Sequence, residues 1–257
     1  GQVDDIRPAA ALAAQGHVLQ PEDLVTVARS LEAVADARRQ IEDVREQAPR
    51  IWVIAEALSD LRPLARDITK GIGPTGEILD SASPRLGQIR RRIIEVRDDL
   101  VNRLQTLMSS TEGQGLVSDQ VVTQREGRYV IPVKAEHRRT MQGIVHDVSN
   151  SGATVFIEPW STVEYGNALR ELELEERDEI QRILTERSEA IGRHRVQVER
   201  DVTTITDLDI AVAKARYAAE AHAVEPALLD ERSRKGQGTL IDLRQARHPL
   251  LGSDAVP

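Results

Sequence analysis

The sequence contains no cysteine, which excludes a disulfide framework and any cysteine-based metal centre. Aromatic residues are only 2% of the chain while hydrophobic residues are 40%. Any core is therefore built from Leu, Ile, Val and Ala. No apolar run approaches the ~18 residues that a membrane-spanning helix needs. No charged-then-apolar segment opens the chain as a signal peptide would. A soluble, cytoplasmic protein with no membrane partner is the expectation. Also missing are GxxxxGK[ST], GxSxG and HExxH, so no phosphate-cradling loop, nucleophile elbow or zincin helix is written into the chain. Gly71–Gly76 (GIGPTG) offers glycines, but it lacks a lysine and a preceding strand and reads as a loop.

What is present is helical composition. The chain has 257 residues, 30% of them charged, with a net charge of −8. Few aromatics and many charges are typical of long helices. The acidic total argues against a surface basic throughout, but not against a local basic patch. The first residue is Gly1 and the last are Ala255-Val256-Pro257; both ends read as cut, and a piece of a longer protein is expected.

Hydrophobic spacing divides the chain. A short helix is predicted from Val3 to Gln15. Pro21, Glu22 and Asp23 open a helix that runs to about residue 47, and Pro49 breaks it. Ile51, Ile54, Leu58, Leu61, Ala65 and Ile68 continue the 3/4 spacing, with a break expected at Pro63. Ser83 and Pro84 are a helix cap and first turn. From there Leu86, Ile89, Ile93, Val96, Leu100, Leu104 and Leu107 form a nearly heptad seam, over a helix about 40 Å long that Gly113 and Gly115 end. A second long seam runs through Tyr165, Leu169, Leu172, Ile180, Ile183, Leu184, Ile191 and Val198, interrupted at Glu175-Glu176. It predicts a helix over 161–200, and a further helix over 201–222. Leu240–Leu243 reads as a short strand after a loop at 233–238.

Between the two long seams lies a different pattern. Arg128–Val133, Gly143–Val148 and Ala153–Ile157 are short strand patterns bounded by turn residues. Leu116–Thr123 is expected to pair with 128–133 across Arg125-Glu126-Gly127, and Pro132 to sit at an edge or bulge. The fold class is accordingly mainly α: a helical core with two long antiparallel helices carrying a small antiparallel β insert. The expected divisions are core helices over 1–83, a long helix over 84–115, the β insert over 116–160, a second long helix over 161–200, and a core helix with a linker over 201–257.

Chemistry is sparse. His146, Asp147, Ser149 and Ser151 suggest a Ser/His/Asp triad, but neighbours on a strand point to opposite faces. His146 with Glu158 gives too few ligands for a metal site. Asp147, Ser149 and Asn150 read instead as turn-bonding residues. No catalytic, cofactor-binding or metal-binding residue is assigned.

Charge segregation is the stronger signal. The insert carries Arg125, Arg128, Lys134, His137, Arg138 and Arg139 against Glu126 and Glu136. The following helix carries Glu171, Glu173, Glu175, Glu176, Asp178 and Glu179. A basic tip on an acidic stalk would direct a polyanion to the tip, and those six basic residues are the candidate nucleic-acid contacts. Tyr129, Phe156, Trp160 and Tyr165 fall in or beside the insert and read as its small core. Arg90-Arg91-Arg92 reads as a solvated helix face. A rival reading is a structural module, in which the long helices pair with a second chain or the tip docks on a protein. The interrupted seam at Glu175-Glu176 favours it.

Arg128–Lys134 (RYVIPVK) and Gly143–Pro159 (GIVHDVSNSGATVFIEP) resemble the bacterial MutS-II family, paralogues of mismatch-repair MutS. Asp80–Pro84, Leu86, Ile89-Arg90, Asn167–Leu172, Leu208-Asp209, Ala213–Ala215 and Ala246–Leu251 add to the resemblance in the same order. It implies core helices over 20–75 and 200–225, lever arms over 84–112 and 161–200, and a clamp over about 116–160. It further implies an ATPase domain after the His248-Pro249-Leu250-Leu251 run, where ATP and Mg would bind, and a nuclease-type Smr domain, neither within this chain. The family is associated with branched or mismatched DNA, with restraint of homologous recombination, with splitting of collided ribosomes in some bacteria, and with homodimers. For this chain the resemblance implies a non-catalytic clamp and lever that grips DNA, or alternatively docks on the ribosome or its RNA.

Overall fold

The computed structural model describes residues 2–226. The strand pattern at 240–243, the loop at 233–238 and the 246–251 run lie outside the described residues. The fold is mainly α with a small β insert, in the order α1 (Arg7–Ala14), α2 (Pro21–Asp43), α3 (Pro49–Ala55), α4 (Arg62–Gly71), α5 (Pro84–Ser109), α6 (Thr111–Leu116), β1 (Thr123–Arg125), β2 (Arg128–Lys134), β3 (Gly143–Val148), β4 (Thr154–Pro159), α7 (Val163–Arg193) and α8 (Arg195–Glu220).

Proline sets the helix starts. Pro21, Pro49, Pro63 and Pro84 each fall in the first turn of α2, α3, α4 and α5, where no N–H is needed and φ is already helical. At α5 the Ser83 hydroxyl also accepts the Leu86 N–H at 2.9 Å.

α5 and α7 are antiparallel. Ser83 meets Glu179 at one end of the pair, while Arg103 lies over Tyr165 at the other. The described residues pack into three apolar clusters. The first joins α1, α2 and α4 to Leu184 and Ile191 of α7 and Val198 and Val202 of α8. A smaller one groups Val34, Ala55, Leu58 and Leu208. Another runs along the helix pair from Ile89 through Leu100, Leu104, Leu169 and Leu172 into Ile131, Val133, Val155 and Ile157 of the sheet. The sheet therefore has no core of its own; it completes the outer half of the helix-pair seam.

The sheet order is β1-β2-β4-β3, all neighbours antiparallel. β2 and β3 flank β4, so residues 135–142 form a crossover that returns the chain to the helix-proximal end. β1 is short: only Thr123–Arg125 pairs with β2, through a two-residue turn. Glu126 and Gly127 there have φ of 49° and 77°, the left-handed pair that such hairpins require. Pro132 accepts the Ser118 N–H on its carbonyl. Its missing N–H faces that same sparsely paired side, as expected for proline in a strand.

Three boundaries differ from the periodicity. Residues 116–122 do not form a strand: Leu116 ends α6, and Val117 makes an isolated bridge to Val133. The first long helix stops at Ser110, whose side chain caps Gly113 N–H and restarts the chain as α6. Gly113 and Gly115 lie inside that short helix. The second long helix ends at Arg193 and turns at His194 instead of near 200. The seam residues Ile191 and Val198 continue across the turn because both pack into the first cluster. A Cβ at Gly192 would lie 2.8 Å from the Ala13 carbonyl carbon and oxygen, so glycine is what lets α1 cross at this point.

Candidate nucleic-acid interface

The six basic residues predicted from sequence do not share one environment. Arg125, at the end of β1, stacks over the Phe156 ring at 4.2 Å and pairs with Asp147 at 3.0 Å. Arg128 opens β2, reaches Glu158 at 3.5 Å and donates to Asn167 Oδ1 of α7 at 2.9 Å. Both charges are thus partly neutralised within the fold. An arginine at the root of a strand lies beside the helix that receives the next strand, and there it serves attachment.

Lys134 ends β2 and its ammonium donates to the Gly115 carbonyl at 3.2 Å. His137 lies in the 3-10 turn of residues 135–137, with Glu136 at 3.4 Å. Arg138 and Arg139 follow on the crossover, both exposed. Among the described residues neither is within ion-pair distance of a carboxylate. Of the six, Lys134, Arg138 and Arg139 have no carboxylate within ion-pair distance among the described residues, and Met141, buried just beyond, tethers the crossover to the shared core.

Glu158 is the buried centre of the sheet's attachment. It is 2% exposed, and its second oxygen is 2.7 Å from His146 Nε2. A β-bulge between Val145 and Asp147 supplies this geometry. The extra residue lets His146 reach back to β4, which strict alternation along the strand does not foresee. Gly166 of α7 packs directly on the pair: a Cβ there would be 2.6 Å from Glu158 Oε1 and 2.9 Å from an Arg128 guanidinium nitrogen. The neighbouring polar residues serve the turn. Asp147 accepts the Val148 N–H, and the Ser149 hydroxyl accepts the Thr154 N–H. Among the described residues no group of three His, Asp or Glu side chains is placed to hold a metal ion.

At the opposite end of the helix pair, a polar interlock fills the interruption in the seam. Glu179 is buried; it accepts Ser83 Oγ at 2.7 Å and Arg182 at 2.8 and 3.0 Å. The Arg182 guanidinium, aided by the Ser83 hydroxyl, holds the Glu179 carboxyl down at about 2 despite its burial. Arg90 bridges Glu176 and Asp80, each at 2.7 Å, and the Ile78 carbonyl at 2.8 Å. Arg91 and Arg92 are exposed, but Arg90 is not a solvated residue. The signal that locates this interlock is the acidic gap in one seam facing a serine and an arginine in the other, visible only once the two seams are registered against each other. Arg90 with Glu176, and Ser83 with Glu179, fill the interrupted seam with contacts inside the chain.

The aromatic residues divide as well. Tyr129 and Tyr165 pack against the shared core, and Phe156 lies under Arg125. Trp160 does not join the core; it is 57% exposed, because it sits on the 3-10 turn that leads from β4 into α7.

A helical base, an antiparallel helix pair and a small sheet completing that pair's outer seam define a rod-mounted β module. The sequence comparisons give the family. No protein-family model matches the chain. Among curated proteins it is 42% identical over 253 residues to "Endonuclease MutS2" of Pelotomaculum thermopropionicum, covering 98% of this chain and 31% of that protein. It is 42% identical over 265 residues to the protein of the same name from Thermomicrobium roseum, covering 100% of this chain and 33% of that one. The Bacillus velezensis protein of that name is 39% identical over 259 residues, with 100% and 32% covered. The chain is of the MutS-II type, and it spans about a third of the length of the curated relatives it matches.

Proposed function

We propose that this chain is the non-catalytic gripping and transmitting part of a MutS-II-type protein. Residues Lys134, His137, Arg138 and Arg139 contact DNA, branched or mismatched, and the α5–α7 pair carries the resulting strain to the helical base and on to an ATPase elsewhere in the parent protein. The parent's task in this reading is the suppression of homologous recombination. The observation that carries it is the exposure of Arg138 and Arg139 without ion-pair partners among the described residues, on a crossover anchored by buried Met141. Free guanidinium groups on a fixed scaffold are what phosphate contact needs. Arg125 and Arg128 hold the sheet instead. The relatives carry the name of an endonuclease; we assign that chemistry to the remainder of such a protein. In support, the close His146–Glu158 pair is buried against Arg128 and Gly166, and the neighbouring Ser149 hydroxyl already accepts the Thr154 N–H.

The test is a binding titration with a branched DNA at two salt concentrations. Charge reversal of Lys134, Arg138 and Arg139 together weakens binding and flattens the log affinity against log salt line by about 2 to 3. Reversal of Arg91 and Arg92 on α5 leaves it unchanged. Equal affinity in the two variants overturns the assignment. Ribosomal RNA presents the same phosphates, so an RNA hairpin belongs in the same titration. Tighter binding to it moves the reading to docking on the ribosome, in ribosome rescue.

A further inference from the structure

Trp160 is one of two tryptophans in the chain and has more than half of its surface in solvent, at 57%. Exposing so large an apolar ring is unfavourable unless something covers it. Its backbone is fixed. The Trp160 N–H donates to the Gln142 carbonyl at 3.2 Å, and Thr162, two residues on, is buried with its hydroxyl donating to the Pro159 carbonyl at 2.9 Å. Gln142 is also the last residue of the crossover, three residues after Arg139. Three residues of chain span at most about 11 Å, so the backbone of Trp160 lies near the crossover that carries Arg138 and Arg139, both exposed and without an ion-pair partner among the described residues.

An exposed aromatic ring on a fixed backbone, with exposed arginines on the neighbouring crossover, is the pairing that single-stranded nucleic acid uses, with the base on the ring and the phosphate on the cation. An intact duplex keeps its bases stacked on each other and has none to offer. We propose that Trp160 is a stacking site for one unpaired nucleobase, with the adjoining phosphate held by Arg138 or Arg139. Glu164, one helical turn beyond Trp160 and exposed, repels phosphate and so directs the strand toward the crossover. The inference rests on the nucleic-acid reading above and adds to it a preference for DNA or RNA with unstacked bases.

The two tryptophans permit a direct test. Trp52 is partly buried, with Arg38 over its ring at 5.9 Å. In a Trp52→Phe chain, fluorescence reports Trp160 alone. Titration with oligothymidylate, oligouridylate and a blunt duplex of equal length should quench that emission with either single strand and much less with the duplex. The relative strength of the two single strands shows whether DNA or RNA supplies the base. Trp160→Ala should lose roughly tenfold or more in single-strand affinity, keep duplex affinity, and be rescued by Trp160→Phe. Binding that depends on Arg138 and Arg139 without quenching, or with equal quenching by duplex, overturns the stacking site and leaves the phosphate reading standing. No binding by any probe overturns both.

Discussion

Ser83 donates its hydroxyl to Glu179 across the root of the α5–α7 pair at 2.7 Å, while the same hydroxyl accepts the Leu86 N–H that starts α5. One side chain therefore both starts the first long helix and fastens it to the second. Arg90, bonded to Glu176, to Asp80 and to the Ile78 carbonyl, ties the same root to the loop before α5.

Replacing Glu179 with Ala leaves Ser83 and Arg182 without their buried acceptor. The expected loss is about 2 kcal/mol in urea unfolding, near the range for charged hydrogen bonds. Ser83→Ala should cost less, about 1 kcal/mol, as loss of a helix cap does.

The same carboxylate sets an acid limb. Its folded-state value of about 2 lies below the ordinary 4.5, so the stability it contributes is complete above about pH 4.5 and is lost as pH falls toward 2. Thermal unfolding of the parent chain and Glu179→Gln should differ most above pH 5 and converge toward pH 2. A gap that stays constant with pH would contradict the ionised interlock.

Asp201 should behave oppositely. Burial raises its carboxyl above the ordinary 3.8, against the Ser59 N–H and hydroxyl and the Arg200 guanidinium that stabilise the charge. A raised value makes its contribution greatest below its unfolded pKa and smaller as pH rises through the folded one. Asp201→Asn should therefore gain on the parent chain as pH is raised from 3 to 7, measured by the same unfolding series.

Gly192→Ala tests how closely α1 crosses α7. In a free helix alanine is better than glycine by about 1 kcal/mol. Here the added methyl meets the Ala13 backbone at 2.8 Å, and backbone cannot swing aside. Overpacking typically costs about 1–3 kcal/mol, so a net destabilisation is expected, read from the urea midpoint.

Glu158→Ala should be the most disruptive change in the sheet, at about 3 kcal/mol, since it strands both Arg128 and His146. His146→Ala should cost about 1 kcal/mol. Amide exchange localised to β2 and β4 in Glu158→Ala, with α2 and α4 still protected, is the measurement that places the effect at the attachment of the sheet.

Much of this architecture is legible in the chain. Proline at 21 and 84 marks helix starts because a ring without an N–H fits only where no helical partner is required; Pro49 and Pro63, which read as breaks in the sequence, prove to open α3 and α4 for the same reason. The seams of α5 and α7 are written in 3/4 spacing because each buries one stripe along its length. Glu126-Gly127 marks a hairpin because two left-handed residues are needed there. The endings were less legible. Ser110 stops α5 with a side-chain cap that competes with the glycines after it. His194 breaks the helix although the apolar spacing continues, because both flanking helices pack into one cluster and the spacing does not register the turn.

By itself the sequence determined the helical class, the two long seams, the position of the β insert and the family resemblance, since periodicity and turn chemistry are local properties of the chain. Only the tertiary structure decided which charges are free. Arg125 and Arg128 look the same as Arg138 and Arg139 in a list of basic residues, and Trp160 the same as Tyr165 in a list of aromatics. What separates them is whether a strand or helix distant in sequence brings a carboxylate or an apolar face within reach. Pairwise proximity of that kind arises only when the chain closes on itself.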